Sequence, residues 1–167
     1  MKNKIFALTL LAFTGPSLAC SIITGVEQFE PEPKNFERKF DGNLIAMLPA
    51  PEVRLLDVTR GTGSDRFSCN KAGRIRVRVT WPRSSKYDID EIGFYFRVVS
   101  GKTLDLIFPL IPVKGLIEDN KAEFSFVWLD GAPSQQQPLD LEVEVFAINR
   151  GQEIGKSARF HVAANGG

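Results

Sequence analysis

The chain has 167 residues, a formal net charge of +1, 43% hydrophobic residues and 25% charged ones. That length holds one domain, and the apolar share excludes a mostly disordered chain. Near-neutral charge gives no reason to expect nucleic acid as a partner, and one His with two Cys leaves little for a metal or a cofactor.

The N-terminus reads as a targeting segment. Lys2 and Lys4 precede an apolar run at 5–13, which Gly15-Pro16 ends. Ser17 and Ala19 stand at −3 and −1 of a cut after Ala19, so 1–19 is predicted to be a secretory signal peptide. The run is too short to span a bilayer, and no later segment approaches 18 apolar residues, so no transmembrane helix is expected. Cys20 would then be the first mature residue, and two readings stay open. A soluble periplasmic or secreted protein would pair Cys20 with Cys69 in a disulfide. An outer-membrane lipoprotein would instead carry a lipid anchor at Cys20.

Residues 20–48 read as an N-terminal arm, with a polar linker at 27–38 built on Glu30-Pro31-Glu32-Pro33. The main domain is expected at 49–163, with a flexible tail at 164–167. A first strand falls at 53–58, and a loop at 61–73 carries Cys69. Residues 74–81 alternate cleanly: Ile75, Val77, Val79 and Trp81 face a core, and Arg74, Arg76 and Arg78 face water. Pro82 ends that strand. A strand at 92–99 puts Phe94, Phe96 and Val98 in one phase. The apolar run 104–113 is interrupted by Pro109 and Pro112, which predicts a strand at a sheet edge. Phe124, Phe126 and Trp128 share a phase in 123–129. Strands at 139–148 and 158–162 close the chain. Trp81 is expected to anchor the core against Phe96, Phe126 and Val145. Short strands spaced by turns, without a helical stripe, predict an all-β sandwich of about seven strands.

From about 51 to 163 the chain resembles a fibronectin type III domain, an immunoglobulin-like β-sandwich. Trp81-Pro82 matches that family's second strand. Val143, Val145, Ala147, Asn149, Gly151, Gly155 and Ser157 match its last two strands. The family's corner tyrosine is replaced here by Leu141.

Few residues carry chemistry. Ser100-Gly101-Lys102-Thr103 resembles the end of a phosphate-binding loop, but Phe96 stands where a Gly is required, so a turn is expected. His161 is the only histidine and is placed towards solvent, with no serine elbow to meet it. Asp88, Asp90 and Glu91 form an acidic loop without calcium-loop spacing. Arg74, Arg76 and Arg78 are expected to pair with Glu52 and Glu123 on neighbouring strands. No catalytic, cofactor-binding or metal residue is assigned.

One face stands out. The outward phases of the third and sixth strands are Tyr95, Arg97 and Val99, and Glu144, Phe146 and Ile148. Apolar residues on a face that water should see mark a partner surface or a covering segment. The arm, with Ile22, Ile23, Phe36, Phe40 and Leu44, is one candidate cover. The expected function is a non-catalytic binding or adaptor module of the bacterial cell envelope, contacting a protein or a surface glycan. The alternative is an envelope hydrolase using His161 or the carboxylates Asp88 and Glu91.

Overall fold

The computed structural model describes residues 24–31, 48–63, 69–102 and 106–166. Cys20, the predicted leader and most of the arm lie outside the described residues, so the expected Cys20–Cys69 bond does too.

The chain is all-β. Its strands are β1 (Glu27–Gln28), β2 (Glu52–Thr59), β3 (Ala72–Thr80), β4 (Ile92–Ser100), β5 (Val113–Lys114), β6 (Leu116–Glu118), β7 (Lys121–Leu129), β8 (Leu139–Asn149) and β9 (Ile154–Ala164). They form two antiparallel sheets, ordered β2-β3-β7-β6 and β1-β5-β4-β8-β9. Four strands facing β4-β8-β9 are consistent with an immunoglobulin-like sandwich.

Period-two alternation puts one phase of each strand between the sheets. Ile75, Val77 and Val79 from β3 are fully buried, as are Leu141, Val143, Val145 and Ala147 from β8. The aromatic residues run as one chain along the strand axis, with Phe124 linking Phe94 to Phe96. Trp81 lies edge-on to Phe94, with ring centroids 5.9 Å apart, and its indole N–H donates to the Tyr87 carbonyl at 2.9 Å. Phe96 instead packs against Phe126 at 4.7 Å and Phe124 at 4.9 Å. This corrects the expected grouping around Trp81. Phe126 pairs in register with Ile75, six residues before Trp81, and at about 3.3 Å per residue that separates them by about 20 Å.

Three further expectations are adjusted. The run 104–113 is not a strand through its described residues: only Val113–Lys114 forms one, and it lies between β1 and β4 rather than at the sheet edge. Pro109 and Pro112 have no N–H to offer a ladder, yet Ile107 and Phe108 are buried in the core. A short β6 pairs with β7, and β9 begins at Ile154 rather than at 158. The arginine partners also differ. A bulge between Leu55 and Asp57 shifts the phase of β2, so Glu52 sits opposite Thr80 and Asp57 turns out towards Arg76. Arg76 bridges Asp57 at 3.0 Å and Glu123 at 3.2 Å, and Arg78 meets Glu123 at 2.5 Å.

The end of the sandwich beside the β7–β8 loop is held by a buried ion pair. Arg60 clasps Asp130 through Nε and Nη2, both at 2.8 Å. Its remaining donors reach the Gln137 carbonyl at 2.9 Å and the Asn165 carbonyl at 2.9 Å. The Gly61 N–H and the Trp128 indole N–H also donate to Asp130. Burial pushes the Asp130 carboxyl up, but these donors outweigh it and hold the group below its ordinary value. The guanidinium ties the corner that a tyrosine hydroxyl ties in many sandwiches, and it fastens residues at the start of the expected tail.

Candidate functional site

The site is built on the outer side of β4 and β8. Their register sets Gly93 opposite Ile148, Tyr95 opposite Phe146, and Arg97 opposite Glu144. Cross-strand pairs on one face lie close enough for side chains to touch. Tyr95 and Phe146 stack at 5.0 Å between centroids, and the Arg97 guanidinium lies 5.6 Å from the Phe146 ring. Arg97 also donates from Nε to Glu144 at 3.1 Å, and its Nη2 pairs with the same oxygen. Hydrogen bonds from Arg97 and then Ser157 hold the Glu144 carboxyl below its ordinary value, against the opposing effect of burial. Glu144 is therefore a buried anchor for Arg97, not a free acid.

The loop after β4 supplies the other wall. Phe108 stacks on Phe96 with a centroid distance of 6.0 Å. Its neighbours Leu106 and Leu110 project outwards, 70% and 80% exposed. Between this loop and the Tyr95–Phe146 stack runs a groove of about 540 Å³, lined by Tyr95, Arg97, Leu106, Pro109, Leu110 and Phe146 among others. That size and lining, apolar with one convergent charge, suit the capture of an apolar group.

The lower part of the face is already covered. Phe29 follows β1 and is 3% exposed, although it stands outside the main core. It sits over Gly93, where an added Cβ would fall 2.4 Å from the ring. Gly93 is thus a seat that only the absence of a side chain provides. Ile148, the register partner of Gly93, is buried on this same side. The Phe29 N–H donates to the Pro112 carbonyl at 2.9 Å, and Lys114 lies over the Phe29 ring at 5.5 Å.

Of the six residues expected on this face, Tyr95, Arg97 and Phe146 line the groove, and Glu144 holds Arg97 in place beside it. Ile148 lies below it, opposite the Phe29 seat. Val99 is the extra residue of a bulge between Val98 and Ser100, and it does not line the groove. Leu106 and Leu110 were missed by strand periodicity because their run is a loop. The closely spaced Pro109 and Pro112 were the available signal.

The other candidates lie away from this groove. His161 Nε2 lies 2.6 Å from Asp140 Oδ1 on the outer side of β9, and both side chains are largely exposed. Glu91 accepts the Asp88 backbone N–H at 3.0 Å, closing a short 3-10 turn at Ile89–Glu91. Gly101 follows β4 at φ +92°, where an added Cβ would meet the Asp140 carbonyl at 2.0 Å; Thr103 lies outside the described residues. Among the described residues no group of three or more His, Cys, Asp or Glu could hold a metal ion. No helix among them is long and apolar enough to cross a membrane.

No family model matches this chain, and neither a curated protein nor a solved structure matches it.

Proposed function

We propose that this protein is a non-catalytic binding module of the bacterial cell envelope, exported to the periplasm or beyond, that captures an apolar segment of a partner protein. The carrying observation is the groove beside the stacked Tyr95 and Phe146, with Leu106 and Leu110 held in water at its rim. Solvent does not select such side chains for an exposed sheet face. The lining favours a protein segment over a surface glycan, because sugar hydroxyls need hydrogen-bond partners that Leu106, Pro109, Leu110 and Phe146 cannot give. The fibronectin type III resemblance, resting on Trp81-Pro82 and the Ala147-x-Asn149 ending, supports a binding role as an analogy of fold.

The test compares the wild-type chain with a Leu106→Ser, Leu110→Ser double variant as bait in envelope extract. Both residues are mostly exposed, so the melting temperature should move little. The variant should lose the partner that the wild type recovers. Equal recovery of every bound protein by both baits would sink the proposal.

A further inference from the structure

Arg97 gives the groove a preference among apolar segments. Its guanidinium turns one edge to Glu144: Nε donates at 3.1 Å, and Nη2 pairs with the same oxygen. A guanidinium carries five N–H donors in a planar fork. The end edge, Nη1 with the second hydrogen of Nη2, is left over, and among the described residues Nη1 has no partner. Among them the Tyr95 hydroxyl has none either. Both side chains line the groove, and among the described residues no carboxylate does.

Exposure decides which charge a ligand meets. The Arg97 side chain is 64% exposed, and the Glu144 side chain 9%. Glu144 therefore holds the guanidinium from the sheet side, and the cation is what faces water. Arg159 lies 3.9 Å from the other Glu144 oxygen, so two cations share that carboxylate, although Arg159 also reaches Glu142 at 3.6 Å. The Phe146 ring, 5.6 Å from the Arg97 guanidinium, keeps the cation beside the apolar wall.

We infer that the segment this groove takes is an acidic apolar one: leucine-, isoleucine- or phenylalanine-type side chains between Leu110 and the Tyr95–Phe146 stack, with an adjoining Asp or Glu whose carboxylate takes the end edge of Arg97. This rests on the groove being the binding surface proposed above, and it adds the charge of the ligand. A planar fork matches the two oxygens of a carboxylate. A basic residue in that place would meet a like charge. A fatty acid carries the same two groups, but the exposed Leu106 and Leu110 rim suits a peptide better. The water-facing side of a peptide is polar backbone, whereas an acyl chain is apolar all round.

The experiment pans random heptapeptides displayed on phage against the full chain. The recovered sequences should join apolar residues to Asp or Glu. One of them is synthesised with Asp and with Asn at the same position, and both peptides are titrated by fluorescence polarisation. The acid should bind about fivefold more tightly, the size of a partly exposed ion pair. The difference should shrink as salt rises from about 50 mM to about 500 mM. Arg97→Gln should bring the two peptides to equal affinity; where that variant folds poorly, the salt series on wild type carries the test. Recovery of no peptide, recovered sequences without acids, equal affinity of acid and amide, or a gap that ignores salt would overturn the inference. Displacement of the peptide by dodecanoate at a lower concentration than unlabelled peptide needs would give the groove to an acyl chain and overturn it as well. The two readings fail separately. Peptides that lose binding to the Leu106→Ser, Leu110→Ser variant yet show no acid preference would keep the groove and defeat only this inference. Acid-selective peptides that bind that variant as tightly as wild type would defeat the groove reading instead.

Discussion

The two outer faces of the sandwich obey the same alternation and end in opposite chemistry. On the β2-β3-β7 face, Arg74, Arg76 and Arg78 meet Asp57 and Glu123 in a continuous ladder of ion pairs. On the β4-β8 face, the ion pairs of Glu144 with Arg97 and Arg159 give way to Tyr95, Phe146 and Ile148. The inner phases of the two sheets are both aliphatic and aromatic, and either could serve any sandwich. What separates this protein from a generic scaffold lies in the outer phases. A face lined with paired charges keeps its hydration and discourages association. A face with stacked rings and projecting leucines leaves apolar area in search of cover. Among the described residues that cover is Phe29, seated over Gly93.

The largest expected effect falls on neither face. The Arg60–Asp130 pair joins the ends of both sheets, and the Asp130 side chain is 3% exposed. Asp130→Ala would leave a buried guanidinium without its carboxylate, and the loss should be roughly 3 kcal/mol in chemical denaturation near neutral pH. The pH dependence has a definite sign. The folded-state value of Asp130 is lowered, so its contribution is fully present above the ordinary aspartate value of about 3.9. It is lost as pH falls through the lower folded value. The gap between wild type and variant should therefore close in strong acid. A gap that persists unchanged there would show that the cost is packing rather than charge.

Next in size is Phe29→Ala, which removes the one described side chain seated on the apolar face. Loss of a buried phenylalanine should cost about 3 kcal/mol. It should also expose the 24–31 segment to protease while the sandwich itself stays folded. Gly93→Val should reproduce this from the other side, since its side chain would occupy the Phe29 seat. A Phe29→Ala protein with wild-type stability and protease resistance would mean that the segment contributes nothing to the face.

The contrast between the faces also marks how much was legible in sequence. Strict alternation in β3 and β7 fixes the inner phase, because Ile75, Val77, Phe124 and Phe126 leave one assignment open. Arg97 with Glu144 is likewise readable once β4 and β8 are neighbours. Bulges are not readable this way. Nothing around Leu56 announces that the phase of β2 reverses and that Asp57, not Glu52, joins the ladder. The same holds for Val99 at the end of β4. The Arg60–Asp130 pair spans 70 positions, and no local pattern couples residues at that distance. Gly93 did carry a signal. An isolated glycine inside a strand points to a close approach, and here the visitor is Phe29.

The smallest effect belongs to the charged ladder, and it is the sharpest check on the comparison. Glu123 receives Arg78 through Nε at 3.0 Å and Arg76 at 3.2 Å. The hydrogen bond from Arg78 is the main reason its carboxyl sits below the ordinary glutamate value, with burial opposing and Arg76 assisting. Ion pairs this open to water are screened and lose side-chain entropy, so Glu123→Gln should cost under about 1 kcal/mol. The lowered folded value means that this small contribution is present at neutral pH and fades as pH falls through it. Salt should fade it as well, since the screening length of exposed charges falls from about 10 Å at 0.1 M to about 3 Å at 1 M, the scale of these pairs. The proper measurement is the denaturation midpoint of wild type and Glu123→Gln at low and high salt. Agreement at high salt with a small gap at low salt would leave the ladder as a hydration device. A gap of several kcal/mol that resists salt would mean that the ladder, like the Arg60–Asp130 pair, holds the fold, and the distinction between the two faces would then need redrawing.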